Sequence, residues 1–136
     1  MPPLRYVREA ALAGKLPPRA QTRARVRQGR HALVGQLTRV LVNLHQLARV
    51  AENEEAGGPT LALESTIATT ESAVPVAAAH RGGADMLAAL TAAVLAAGRY
   101  LNEVTYHANV IEELPPYDEL GEALSRILTA VHEVLR

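Results

Sequence analysis

Apolar residues recur at helical spacing in four long segments of the chain. Steps of three, four or seven residues separate the members of each apolar face, which places their side chains on one side of an α-helix. No segment combines sustained apolar and polar alternation with β-branched or aromatic enrichment, so we predict no sheet. The four faces comprise Val26, Leu33, Leu37, Val40, Leu44, Leu47 and Ala51; Leu63, Ile67 and Val74; Leu87, Leu90, Val94, Ala97, Leu101, Val104, Ala108 and Ile111; and Leu120, Leu124, Ile127, Val131 and Val134.

Prolines and paired glycines separate these segments. Gly57-Gly58-Pro59 is expected to end the first long helix, and Pro75 is expected to kink or end the second. The second helix is also the weakest prediction, because threonine is a mediocre helix former. The pattern predicts a short helix over 4–13 and long helices over 18–56, 60–73, 84–113 and 117–135, with a further turn possible over 76–80.

Short connections between long helices favour an all-α, up-down four-helix bundle in which consecutive helices are antiparallel neighbours. We expect one domain over 1–136, with a short N-terminal helix and linker over 1–17 and the bundle over 18–136. The first helix would reach about 55 Å and the fourth about 30 Å, so the overlong first helix overhangs the bundle or packs against another subunit. The first half of the third helix is apolar nearly all round, which predicts a central, most buried helix.

Composition narrows the possible functions. The chain has 49% hydrophobic residues, four Tyr, no Phe, no Trp and no Cys. Without Cys there is no disulfide scaffold, thiolate metal site or Cys nucleophile. The longest uncharged stretch, residues 86–98, spans about 20 Å of helix against about 30 Å for a bilayer core. We therefore expect a cytoplasmic protein that makes no membrane contact, and the 13 Arg against one Lys are typical of a bacterial genome of high GC content.

Charge is divided unevenly along the chain although the net charge is zero. Residues 1–49 hold ten basic and one acidic residue, giving +9, whereas residues 50–136 hold four basic and 13 acidic residues, giving −9. In the predicted topology the two charged regions lie at opposite ends of the first helix, about 50 Å apart, far beyond a Debye length of about 8 Å. The acidic end would join Glu52, Glu54 and Glu55 with Glu112, Glu113, Asp118, Glu119 and Glu122.

The segment 19–30 carries five Arg and no acid. Arg19, Arg23, Arg27 and Arg30 follow i, i+4, i+8 and i+11 and so share one helical face, which cannot bury unpaired in an apolar core. Three interpretations stay open: contact with nucleic-acid phosphates, contact with the acidic surface of a partner or second copy, and a solvated basic face. The pI near 7 and the absence of a stacking platform of aromatic residues weigh against nucleic acid.

Candidate chemistry is sparse. Tyr100, Glu103 and His107 share part of one face of the third helix, which could contribute to a metal or ligand site. The pattern lacks the further convergent ligands of a di-iron bundle, so a partly buried histidine is the favoured interpretation. His31, His45 and His132 are expected to be exposed, with His80 in a linker. Neither a nucleophile elbow nor a phosphate-binding loop is present, so we expect no cofactor, no metal and no enzymatic activity.

Small residues on the third helix suggest self-association. Ala89, Ala93, Ala96 and Ala97 would allow close helix approach, either inside one bundle, which we favour, or between two copies. Sequence alone thus predicts a non-enzymatic helical assembly protein, a homodimer whose Arg19, Arg23, Arg27 and Arg30 engage an acidic surface formed by Glu112, Glu113, Asp118 and Glu119. The alternatives are a nucleic-acid-associated regulatory protein using the same arginines and, third, a ligand- or metal-binding bundle.

Overall fold

Within the described residues, the chain folds into four helices and contains no strand. The computed structural model describes residues 18–111 and 113–136, with residues 107–109 and 111 described by their backbone only. The short helix predicted over 4–13 lies outside the described residues. The helices are α1 (Pro18–Asn53), α2 (Gly57–Ala78), α3 (Ala84–Ile111) and α4 (Tyr117–Leu135), which pack against one another and confirm the all-helical prediction.

One apolar core runs between the four helices. The predicted faces supply it, with Leu33, Leu63, Leu87 and Leu101 fully enclosed. Val26 and Val74 lie half-buried at its margin, whereas the side chains of Ala108 and Ile111 lie outside the description. Alanines that the faces omitted, including Ala73 and Ala123, are also fully buried, which brings the helix axes close together where larger side chains would hold them apart.

The order of helices around the core differs from the expected one. Both α1 and α4 pack against α2 and α3, so the order around the bundle is α1, α2, α4, α3. Asn43 Nδ2 donates a hydrogen bond to Asn102 Oδ1, and Gly29 lies beside Leu87, so α1 and α3 run parallel. The expectation that consecutive helices are neighbours is therefore wrong for α2 and α3, which stand diagonally across the bundle. The segment 79–83 makes that diagonal crossing.

The end of α1 corrects a second expectation. Glu55 adopts a left-handed φ of 54°, Ala56 N–H donates to Ala51 O at 3.0 Å, and Glu55 N–H donates to Glu52 O at 3.0 Å. These paired bonds form a Schellman motif, which satisfies the last helical carbonyls. The helix thus ends before Gly57-Gly58-Pro59, and those residues form the first turn of α2 instead.

The second helix is longer than the predicted 60–73, and its threonines do not interrupt it. Thr66 Oγ1 donates to Ala62 O at 2.8 Å and Thr70 Oγ1 donates to Thr66 O at 2.7 Å, so both hydroxyls are satisfied although both residues are buried. Pro75 lies inside the last turn of α2 without ending it. Its missing N–H removes one hydrogen bond close to the helix terminus, where few turns depend on it.

The third helix is not the enclosed central helix that its composition suggested. Met86 is 56% exposed, and Ala89, Ala93 and Ala96 are exposed as well. By length and composition Ala84–Tyr106 is apolar enough to cross a membrane, a criterion that core helices of soluble proteins also meet, and 22% of its most apolar window is buried. Small apolar side chains thus leave α3 with an unburied apolar face.

Candidate interaction surface

The first part of α1 is a helix without a buried side. From Pro18 to Ala32 no residue is buried, and the first fully enclosed side chain is that of Leu33. We call residues 18–30 the arm. Pro18 suits the first helical position, and the Arg, Ala and Gln content of the arm gives it high intrinsic helix propensity. Thr22 Oγ1 also donates to Pro18 O at 2.9 Å in the first turn.

Within the described residues, the arm begins before the level at which α3 starts. Gly29 faces Leu87 in the first turn of α3, and a Cβ on Gly29 would lie 3.0 Å from Leu87 Cβ. Since α3 begins at Ala84 and runs parallel to α1, about eight residues of α1 extend beyond it, or about 12 Å of helix. The face that points into the core further along α1 therefore has no described helix opposite it here.

The predicted arginine stripe divides into two parts. Arg30 is half-buried, and its Nε donates to the backbone oxygen of His80 at 2.8 Å. This bond ties α1 to the diagonal segment 79–83, close to the carboxyl end of α2, where the helix dipole also favours a cation. Arg19, Arg23 and Arg27 are exposed.

The exposed arginines have no acidic partner in the part of the chain that the structure describes. The ion pairs found there join His45 to Glu71, Arg126 to Glu122 and Arg136 to Glu133. Along the stripe, a cleft of about 340 Å³ is lined by Thr22, Arg23, Val26, Arg27 and Arg30. The arm therefore presents uncompensated guanidinium groups around a partly apolar hollow, a surface suited to an anionic partner.

The acidic end lies at the opposite end of the bundle. Glu54 Oε1 accepts a hydrogen bond from Leu114 N–H at 2.8 Å, which brings the end of α1 against the turn between α3 and α4. Glu113, Asp118 and Glu119 are exposed around that turn, and Glu112 lies outside the described residues. Arg19 and Glu54 are 35 residues apart on and just beyond one helix, a separation of about 50 Å. No side chain can bridge that distance within one copy.

The candidate ligand site on α3 includes one side chain, that of Tyr100, which contacts α4. The guanidinium of Arg126 lies 3.9 Å from the centroid of the Tyr100 ring, and its Nε donates to Glu122 Oε1 at 2.9 Å. Tyr100 is therefore covered by α4, whereas Glu103 is exposed. The His107 side chain lies outside the description. Among the described residues no group of three or more potential ligands could hold a metal ion.

The histidines follow the sequence expectation where the structure describes them. His31, His45 and His132 are exposed, and His45 Nε2 lies 3.6 Å from Glu71 Oε1. His80 is half-buried in the diagonal segment, and its Nδ1 accepts a hydrogen bond from Gly82 N–H at 2.9 Å.

The small-residue face of α3 was expected to pack inside one bundle, and the structure corrects this for most of it. Ala97 is buried, but Ala89, Ala93 and Ala96 are exposed. Between α3 and α4 a shallow groove of about 470 Å³ follows Ala93 and Ala96 on one side and Ser125, Arg126 and Thr129 on the other. Sequence periodicity misses this groove because it identifies the buried face of a helix but not the spacing between two neighbours.

Comparison with known proteins gave no match to this chain, whether among protein-family models, curated proteins or solved structures. The arm, the acidic end and the exposed face of α3 are the surfaces of the described residues that are suited to a partner.

Proposed function

We propose that this protein is a non-enzymatic assembly protein that works as a homodimer, with the arm of each copy against the acidic end of the other. The observation that carries this proposal is the charge separation. Three exposed arginines without acidic partners among the described residues project from one end, and exposed carboxylates surround the turn at the other. Each surface is chemically suited to the other, and a single copy cannot join them.

An antiparallel, side-by-side arrangement joins both pairs of surfaces at once. Two such contacts related by a two-fold axis form a closed dimer, whereas end-to-end contacts of the same surfaces would build an open filament. Complementary charges at the two ends also fix the relative direction of the subunits and speed their encounter. The closed arrangement leaves neither charged surface of the dimer unmatched.

The exposed face of α3 supports the side-by-side form. Ala89, Ala93 and Ala96 would let a helix of the second copy approach closely, and Met86 is available to pack at the edge of that contact. In one copy the arm lies at the amino-terminal end of α3, because α1 and α3 are parallel neighbours. A second copy that packs antiparallel on the exposed face of α3 therefore places its own turn between α3 and α4 beside the arm of the first copy. Apolar burial along α3 would supply affinity, and the charged ends would supply orientation.

A charge-swap experiment tests this proposal. One variant reverses the arm with Arg23→Glu and Arg27→Glu, and the second reverses the acidic end with Asp118→Arg and Glu119→Arg. Each variant alone brings like charges together and is expected to be monomeric by light scattering at low salt, whereas the two mixed in equal amounts are expected to form a heterodimer. The matched control is Glu64→Arg with Glu71→Arg, which reverses two exposed charges on α2, the helix diagonal to α3, and should remain dimeric.

Two outcomes would contradict the proposal. A monomeric natural protein at micromolar concentration removes the homodimer, and a dimer that survives both charge reversals shows that the charged ends do not orient it. Recovery of dimers only in the mixture would identify the arm and the acidic end as contacting surfaces. Added salt should weaken the natural dimer, because exposed charge pairs are screened.

One observation favours a second candidate, a nucleic-acid-associated regulatory protein. Arg81 is exposed in the diagonal segment just after His80, whose carbonyl binds Arg30, so the basic surface extends from the arm onto the end of the bundle. Guanidinium groups spread over two elements could follow the phosphates of a duplex. The absorbance ratio at 260 and 280 nm separates this from the dimer. A protein with four Tyr and no Trp absorbs weakly, so bound nucleic acid would dominate the ratio until nuclease or salt removed it.

A further inference from the structure

A small cleft lies between the parallel helices α1 and α3, about midway along the bundle. Its lining residues are Gln36, Arg39, Val40, Asn43, Leu95, Gly98, Arg99 and Asn102. The helices approach closely at its floor, where a Cβ on Gly98 would lie 3.3 Å from Val40 Cγ2. The cleft has a volume of about 70 Å³, which is room for one small ion and little more.

Two arginines line this cleft, one from each helix. Arg39 and Arg99 are both exposed, and neither forms an ion pair within the described residues. No carboxylate lines the cleft. Glu103 lies one turn after Arg99 on α3 but is not among the lining residues, although residues four apart on a helix are close enough to pair.

The remaining polar residues of the lining carry side-chain amides. Asn43 Nδ2 donates to Asn102 Oδ1, which links the two helices at the cleft and leaves the amide nitrogen of Asn102 as a further donor. Gln36 contributes a second side-chain amide to the lining. Two arginines and these amide residues thus line one small space, and no acidic residue of the described chain is among its lining residues.

We propose that this cleft binds a phosphate group, either as the free ion or as the terminal group of a phosphate monoester. A dianion balances two guanidinium groups, and the planar fork of each Arg can donate two hydrogen bonds to its oxygens. The small volume accommodates the tetrahedral anion and excludes a sugar or base, so any organic remainder lies in solvent. The bound anion would bridge α1 to α3. This site is separate from the arm and does not depend on the homodimer.

Calorimetric titration with inorganic phosphate, in a phosphate-free buffer of constant ionic strength, tests the site. We expect saturable binding at one site per chain, weakened at least tenfold in the double variant R39Q/R99Q. Binding to the matched double variant R49Q/R136Q, which removes the same charge from exposed positions outside both the cleft and the arm, should equal that of the natural protein. Acetate, a monoanion, should bind at least tenfold more weakly than phosphate.

A second measurement locates the anion. In amide-correlation NMR spectra, phosphate is expected to shift the side-chain amide signals of Asn43 and Asn102 and the backbone amide of Gly98, and to leave them unchanged in R39Q/R99Q. Equal shifts with inorganic phosphate and glycerol phosphate would show that only the anionic group is recognised, whereas a response to the monoester alone would assign the organic form.

Three results would overturn the proposal. They are unchanged phosphate affinity in R39Q/R99Q, an equal loss of affinity in R49Q/R136Q, and no saturable binding of either inorganic phosphate or glycerol phosphate by the natural protein. Both substituted side chains are exposed, so circular dichroism should show equal helix content and melting temperature for the variants without phosphate. That control separates loss of the site from loss of the fold.

Discussion

Two regions of one helix behave differently although no break separates them. Residues 18–32 of α1 include no buried residue, whereas residues 33–51 include six, among them Leu33, Leu44 and Ala51. The arm depends on intrinsic helix propensity and on its continuity with the rest of α1, and the second region depends on the core. Helical secondary structure alone therefore does not indicate which part of α1 stabilises the protein and which part is available for a partner.

Truncating a side chain is expected to give the largest difference between the two regions in the free energy of unfolding. Leu44 is fully buried, and Leu44→Ala is expected to lower the free energy of unfolding by about 2–5 kcal/mol through lost burial and the cavity left behind. Arg25→Ala in the arm should change it by less than about 0.5 kcal/mol. Denaturant unfolding monitored by circular dichroism measures both, and equal losses would show that the arm is part of the cooperative core.

Arg30 lies where the two regions join, and its substitution measures how firmly they are connected. Arg30→Gln removes the donor to His80 O and is expected to cost about 1 kcal/mol, the usual net contribution of one such hydrogen bond. The matched variant Arg27→Gln, one turn away and exposed, should be near neutral. If Arg27→Gln were the more destabilising of the two variants in the same unfolding experiment, the hydrogen bond of Arg30 would not be what connects the two regions.

Glycine substitution compares backbone order in the two regions. Ala48 packs against the core, so Ala48→Gly should lower the unfolding free energy by about 1 kcal/mol. Ala24→Gly in the arm should leave global stability nearly unchanged, because local fraying of the arm does not require the core to open. Native-state hydrogen exchange would then show faster exchange confined to the arm, and faster exchange throughout the bundle would argue against this division.

The smallest expected change in stability comes from substituting Glu55, at the end of α1 remote from the arm. Glu55 has a left-handed φ of 54°, a conformation that glycine adopts without a steric penalty. Glu55→Gly is expected to raise stability by about 0.5 kcal/mol, since part of the gain is offset by the greater chain entropy of glycine in the unfolded state. Glu55→Ala is the control, because it removes the charge without relieving the backbone. Equal melting temperatures for the two variants would exclude backbone relief as the cause.

Much of the fold follows from spacing in the sequence, because apolar periodicity reports directly on which side of a helix is buried. The faces containing Leu33, Leu87 and Leu120 were predicted in this way. The end of α1 was not predicted correctly, because the backbone turns at Glu55, two residues before the glycines that were expected to end the helix. The diagonal crossing at 79–83 was also missed, since short loops can join either adjacent or diagonal helices.

The candidate sites were predictable to different degrees. The arm and the acidic end each consist of residues close in sequence, so their charge is visible without a structure. The role of Arg30 is not, because its acceptor is a backbone oxygen 50 residues away. Likewise the cleft between Arg39 and Arg99 depends on the axial alignment of two helices, and periodicity does not specify that alignment.

The order of helices around the core has a consequence for how the chain folds. Since α1 with α2 and α3 with α4 are each joined by a short turn, the bundle consists of two helical hairpins that stack on one another. The contacts between hairpins join residues 59 and 60 apart, as in Asn43 with Asn102 and Glu54 with Leu114, whereas those within a hairpin are more local near its turn. Local contacts form with the smaller loss of chain entropy. We therefore expect each hairpin to form first and docking to limit the folding rate, with the first hairpin complete during synthesis while its apolar side still awaits the second.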